Sequence, residues 1–285
     1  MPTKQPTTCA QQVQIIKSKG FIVDDEQACE EFFKLHNFYR VKAYRLPFRH
    51  KDGTYDQGIP FTRIQRIYAF DGELRNLLTK VIESIEMYCR TCFARQFTDA
   101  YGPLGYMDEN NFSIAHNHQK FIDYIDRYIE ENKKTPVVMH HKQNFNGDFP
   151  IWVMIEYFSL GTLSYFYCDM CTQDQKAIAA KYGTSVPCLK SWMRCITDLR
   201  NRCAHFSRLY FWAFPSVPKM PAGVNYKANH SLFSQVLMLS YLNPDHTEWN
   251  QKILVRLEEL INEYSSDISL NHIGFPKNWK DLLNR

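Results

Sequence analysis

Between positions 63 and 97 the chain reads RIQRIYAFDGELRNLLTKVIESIEMYCRTCFARQF. Apolar residues return three or four positions apart along it: Ile67, Phe70, Leu74, Leu77, Leu78, Val81 and Ile85. That spacing is the 3.6-residue period of an α-helix with one apolar stripe. Thr62 can open the helix, and Gly72 is a candidate kink. A stripe of this kind needs a cover, and the rest of the chain offers further helices, with no sustained period-2 alternation.

Thr7 or Thr8 caps a first helix ended by Gly20. Asp24 or Asp25 caps a second, with Ala28, Phe32 and Leu35 on one face. A loop spans about Pro47 to Pro60. After the long helix, the segment from about Asn111 to Asn132 is helical, and a loop rich in His, Asn and Gly then runs to Pro150. Pro150 stands at the N-terminus of the next helix, PIWVMIEYFSLGTLSYFY. Two more helices run from about Gln173 to Tyr182 and from Val186 to Trp212, PSVPKMPAG breaks the chain, and two or three shorter helices complete it. The fold class is all-α, in three segments: an N-terminal helical appendage (1–60), a helical core (61–214) and C-terminal helices (215–285) packing on that core.

Hydrophobic residues make up 45% of the 285, enough for a substantial core, and the net charge is only +4. Affinity for nucleic acid therefore has to come from a local patch. The segment MPTKQPTTCAQQ has no apolar run suited to a signal peptide, and no stretch approaches the length of a membrane span. With nine scattered cysteines, this predicts a cytoplasmic protein with reduced thiols and no membrane association. Cys89 with Cys92 and Cys168 with Cys171 have the C-x2-C spacing of a four-thiolate zinc site. Each pair falls in or at the end of a helical stretch without a Gly-rich knuckle, so buried thiols are the favoured reading, and no metal or cofactor is expected.

Chemistry concentrates at LRNRCAHFSRLY, Leu199 to Tyr210. On an ideal helix Asn201 and His205 lie about 40° apart and Arg208 extends their stripe, whereas Arg200 points about 140° from His205. One straight helix does not aim both at one phosphate by backbone direction alone; a curled arginine side chain, a helix distortion, or two copies facing across a two-fold axis can bring them together. The residue types suit metal-free cleavage of RNA. An imidazole can give or take a proton near neutral pH, and a guanidinium presents a fork of donors to phosphate oxygens. RNA brings its own nucleophile, the 2′-hydroxyl. The alternative is a surface arginine and a histidine satisfied by a backbone carbonyl.

The same stretch resembles the signature of abortive-infection proteins of the AbiD/AbiF type, within the HEPN superfamily of helical ribonucleases. NFYRVKAYRLPFR, FTRIQRIYAFDGELRNLL, IESIEMYCRTCFA, PIWVMIEYFSLGTLSYFY and GFPKNW look like further family blocks in family order, so the resemblance runs from about Val13 to Trp279. It implies a HEPN-like bundle, usually dimeric, with a metal-independent ribonuclease motif R-x4-6-H and a role in defence against phage. By position Arg200 is the motif arginine, Asn201 the polar residue after it and His205 the motif histidine. Phe206 departs from the pattern, standing where many relatives carry a second polar residue.

Supporting groups follow from local context. Glu86 and Glu156 each lie in an apolar helix. Glu86 is four residues before Arg90, the spacing of an ordinary ion pair. Glu156, with apolar neighbours, reads as a buried carboxylate needing a partner, for which Arg200 is plausible. NFYRVKAYRLPFRHK interleaves Arg40, Lys42 and Arg45 with Phe38, Tyr39, Tyr44 and Phe48, a pattern suited to neutralising phosphates and stacking bases. Arg208 joins this RNA-binding set, and His140 and His141 read as exposed loop residues. The rival class is a protein that holds a structured non-coding RNA in the same basic cleft. A third is an interaction scaffold with a degenerate site, against which the intact Arg200, Asn201 and His205 argue.

Overall fold

A computed structural model describes residues 5–285, and among them the fold is all-α, with isolated bridges but no strand. Fourteen helical segments follow one another: α1 (Cys9–Lys17), α2 (Glu26–Leu35), α3 (Phe38–Lys42), α4 (Phe61–Tyr101), α5 (His118–Glu131), α6 (Pro136–Asn144), α7 (Ile151–Met154), α8 (Leu160–Asp169), α9 (Thr172–Lys181), α10 (Val186–Ala204), α11 (Leu232–Leu242), α12 (His246–Glu248), α13 (Leu254–Glu263) and α14 (Trp279–Leu283). A π turn over Trp249–Ile253 joins α12 to α13.

The caps explain the first boundaries. Thr8 Oγ1 accepts from Gln11 N–H while the Gln11 side chain accepts from Thr8 N–H, a reciprocal capping box. Asp25 accepts from Ala28 N–H at 2.9 Å and starts α2. The buried face of α2 is Cys29 and Phe33, with Phe32 half-buried. It lies one residue round from the expected Ala28, Phe32 and Leu35, and Leu35 is 82% exposed.

α4 is the axis of the molecule. Its 41 residues span roughly 60 Å, and its helix continues through Gly72 unbroken. Ile67, Phe70, Leu74, Leu78, Val81 and Ile85 are buried along it, and Leu77 is half-buried. α7, α9, α10 and α13 all pack on α4, and α8 packs chiefly on α10. One continuous cluster of buried side chains, from Val13 to Leu283, joins all three segments of the chain.

Three boundaries differ from those expected. α5 begins at His118, where Asn117 caps it, rather than near Asn111. The loop expected before Pro150 contains α6, opened by Pro136, with Val138 and His141 buried. His141 is therefore not an exposed loop residue: its Nδ1 bonds the Asp148 carbonyl at 2.9 Å, while His140 remains exposed. The segment 151–169 is two helices, because the chain turns extended at Phe158 and Ser159 caps α8.

Candidate active site

α10 begins at a Ser185 cap and ends at Ala204, not at Trp212. The stop is a Schellman turn. Phe206 N–H donates to Cys203 O at 3.0 Å, and Ser207 N–H donates to Arg202 O at 2.8 Å. This geometry requires a left-handed residue just past the cap, and Phe206 supplies it with φ +53°. His205 is thus the C-cap, its own N–H bonded to Asn201 O. Arg208 lies beyond the helix, so the expected stripe from Asn201 through His205 to Arg208 does not form.

The chain after the turn is fastened at several points. The Arg202 guanidinium donates to Arg208 O at 2.7 Å and lies 3.7 Å from the Trp212 ring centre. Arg208 is half-buried and donates to Ala43 O at 3.0 Å. Burial pulls both guanidinium groups below their ordinary range. Arg40 donates to Phe206 O, which seats the basic aromatic segment against the turn.

Beneath it lies a buried polar hub that the sequence reading missed. Asp71, fully buried on α4, accepts from Leu209 N–H at 3.0 Å, Tyr210 N–H at 2.7 Å, Tyr44 Oη at 2.6 Å and the Arg75 guanidinium. Burial drives the Asp71 carboxyl upward, and these donors oppose it. Because every partner donates, the ionised carboxylate is the form the geometry fits. Burial works against the Arg75 charge as well, but Asp71 holds that group above its ordinary range. The signal was an aspartate inside the apolar stripe, four residues before an arginine.

The end of α10 also borders a cavity of about 480 Å³, walled by Thr79, Glu86, Arg90, Glu156, Arg200 and Cys203 among others. Arg90 is shared: it donates to Glu86 at 2.5 Å and to Phe158 O at 2.9 Å, and stands 3.7 Å from Glu156. Glu86 is therefore an intrahelical ion-pair partner. Glu156 is not a buried carboxylate paired with Arg200: its side chain is 58% exposed, and its partner is Arg90. Arg200 enters this cavity, but His205 is not part of its wall. The angular divergence between them thus persists within one chain. Arg200, Asn201 and His205 are exposed, and their side chains make no hydrogen bond or ion pair among the described residues.

The basic aromatic segment is divided. Arg40 and Lys42 are exposed, Lys42 lying 5.6 Å from the Tyr39 ring centre. Arg45 is 1% exposed and is ringed by Phe21, Phe38 and Tyr55 at 5.5–5.9 Å. Its Nε and Nη1 have no hydrogen-bond partner, and burial lowers its pKa. A side chain so enclosed does not reach an RNA phosphate, so Arg45 leaves the RNA-binding set.

Six of the nine cysteines are buried, whereas Cys9, Cys168 and Cys171 are half-buried. Cys89 and Cys92 are buried on α4, and burial pushes the thiols of Cys89 and Cys203 up to about 12. No group of three or more metal-ligating side chains converges among the described residues.

An all-helical fold whose long axial helix pins the turn after an R-x4-H helix end defines the class. Residues 31–211 match the sequence model of the family described as Abi-like protein, more than half of the chain, and the protein belongs to that family. Membership ties the chain to abortive infection. No curated protein and no solved structure matches it. Among the described residues no helix is long and apolar enough to cross a membrane.

Proposed function

We propose that the protein is a metal-independent endoribonuclease of the HEPN type, acting as a homodimer in abortive infection. One observation carries this reading: around the end of α10, Arg40, Arg75, Arg202 and Arg208 are tied into the structure, whereas Arg200, Asn201 and His205 stand exposed and unpaired. Folding does not use these three groups.

In the proposed reaction the 2′-hydroxyl loses its proton and its oxygen attacks the adjacent phosphorus. The bond to the 5′-oxygen breaks, and that oxygen takes a proton. A 2′,3′-cyclic phosphate and a 5′-hydroxyl result. His205 transfers the proton, Arg200 clamps the phosphate and stabilises its growing charge, and Asn201 orients the imidazole or the phosphate. A second copy brings its His205 towards the first copy's Arg200, which resolves their divergence within one chain. In this reading Arg40, Lys42 and Arg208 supply the positive charge that neutralises RNA phosphates.

His205→Ala should keep the fold and lower cleavage about 10²–10⁴-fold, the usual weight of general acid–base catalysis. An RNA with one 2′-deoxy nucleotide at the cut site should resist the wild-type enzyme. Equal cutting of both RNAs would eliminate the 2′-hydroxyl route. The separation of Arg200 from His205 also favours a second reading, a basic surface that holds a structured non-coding RNA without cutting it. Stoichiometric co-purified RNA, with cleavage unchanged by His205→Ala, would select it.

A further inference from the structure

The residue after the motif histidine is the least economical choice for its position. A Schellman turn takes glycine at its left-handed residue, because a side chain there is strained. Here the position holds phenylalanine at φ +53°. The hydrophobic contact that often accompanies such turns is missing too, since the two residues that would make it are Arg202 and Ser207. Nor does the ring contribute to the core. It is 66% exposed and has no aromatic or cation–π neighbour among the described residues. Phe211 is the contrast: it shares the φ of +53°, but its ring meets His272 at 5.3 Å.

The surroundings of Phe206 are cationic. Arg40 donates to its carbonyl, and Lys42 is exposed on the same helix as Arg40, α3. An aromatic face that is fixed at its backbone, open to solvent and flanked by cations matches an unpaired nucleobase followed by its phosphate. Resting on the ribonuclease reading above, we propose that Phe206 is a stacking platform for an unpaired base beside the scissile phosphate. The left-handed turn aims the ring, and the Arg40 contact holds the turn.

The test uses Phe206→Gly and Phe206→Trp in the full chain, with binding measured in a His205→Ala background. The probe is a single-stranded RNA carrying 2-aminopurine, whose fluorescence is quenched by stacking. Phe206→Gly should raise Tm by about 2 °C by relieving strain, weaken binding about 5- to 100-fold and abolish the quenching. Phe206→Trp should retain both binding and quenching. Unchanged affinity and quenching in Phe206→Gly would overturn the platform while leaving the nuclease reading intact. Conversion of a dimer to a monomer by Phe206→Gly would assign the ring to a subunit contact and overturn it as well. Cleavage unaffected by His205→Ala would bring down the nuclease reading itself, and the platform with it.

Discussion

At the scale of single residues, the two buried arginines of the N-terminal half behave oppositely. Arg75 has a carboxylate, and Asp71→Asn would leave that guanidinium buried without an anion. Such a loss costs about 3–5 kcal/mol, so Asp71→Asn should show a correspondingly lower unfolding free energy in urea. Arg45 has only aromatic neighbours and two unsatisfied nitrogens. Arg45→Met, similar in length and apolar, should be neutral or stabilising in the same measurement. The pair also separates structure from binding. Replacing Arg40 and Lys42 together should reduce the salt slope of RNA binding by about 1.4–2. Arg45→Met should leave that slope unchanged, and a lower slope would return Arg45 to the RNA surface.

At the scale of elements, the C-terminal segment reports on the same turn. Tyr210 Oη accepts from Ser269 N–H at 2.9 Å and is hydrogen-bonded to His272 Nδ1 at 2.8 Å. Burial, reinforced by Arg63, lowers the His272 pKa. The folded state therefore binds this proton less readily than the unfolded chain, whose histidine titrates near the ordinary ~6.5. Stability from this group is present above that value. It falls as the pH drops from about 6.5 towards the depressed pKa and levels off below it. Urea midpoints measured across that range should decline towards acid, and His272→Gln should flatten part of the decline.

The elements also mark what was legible in the sequence. Thr8, Asp25 and the stripe of α4 were readable because caps and 3.6-residue periodicity are local. The end of α10 was not: Phe206 occupies the place where glycine would have announced a stop, and Leu209 and Tyr210 prolong the apolar pattern. α6 is too short for periodicity to stand out. Arg200, Asn201 and His205 were singled out by resemblance, since an arginine and a histidine five apart recur by chance in many helices. The partners of Arg45, Asp71 and Glu156 were not, because each is fixed by tertiary neighbours distant in sequence.

At the scale of the whole molecule, the different directions of Arg200 and His205 on α10 carry a prediction about assembly. If each working site combines Arg200 from one copy with His205 from the other, Arg200→Ala and His205→Ala dimers should each be inactive. Co-refolded, they should recover about a quarter of wild-type cleavage, because half the dimers are mixed and each of those has one intact site. No recovery, in dimers verified as mixed by mass spectrometry, would confine the site to a single chain.

The tether from Asp71 to Leu209 and Tyr210 spans 138 and 139 residues, and that interval has a consequence in time. A ribosome adding 5–20 residues per second needs about 7–28 s to cross it. Throughout that interval Asp71 is already made, but the backbone donors that fix the motif turn are not. Asn201 and His205 emerge late and gain their anchored geometry only once Tyr210 is free to dock. For a protein proposed to cut RNA, the long tether works as a delay: every residue up to Tyr210 must be made before the motif turn can be set.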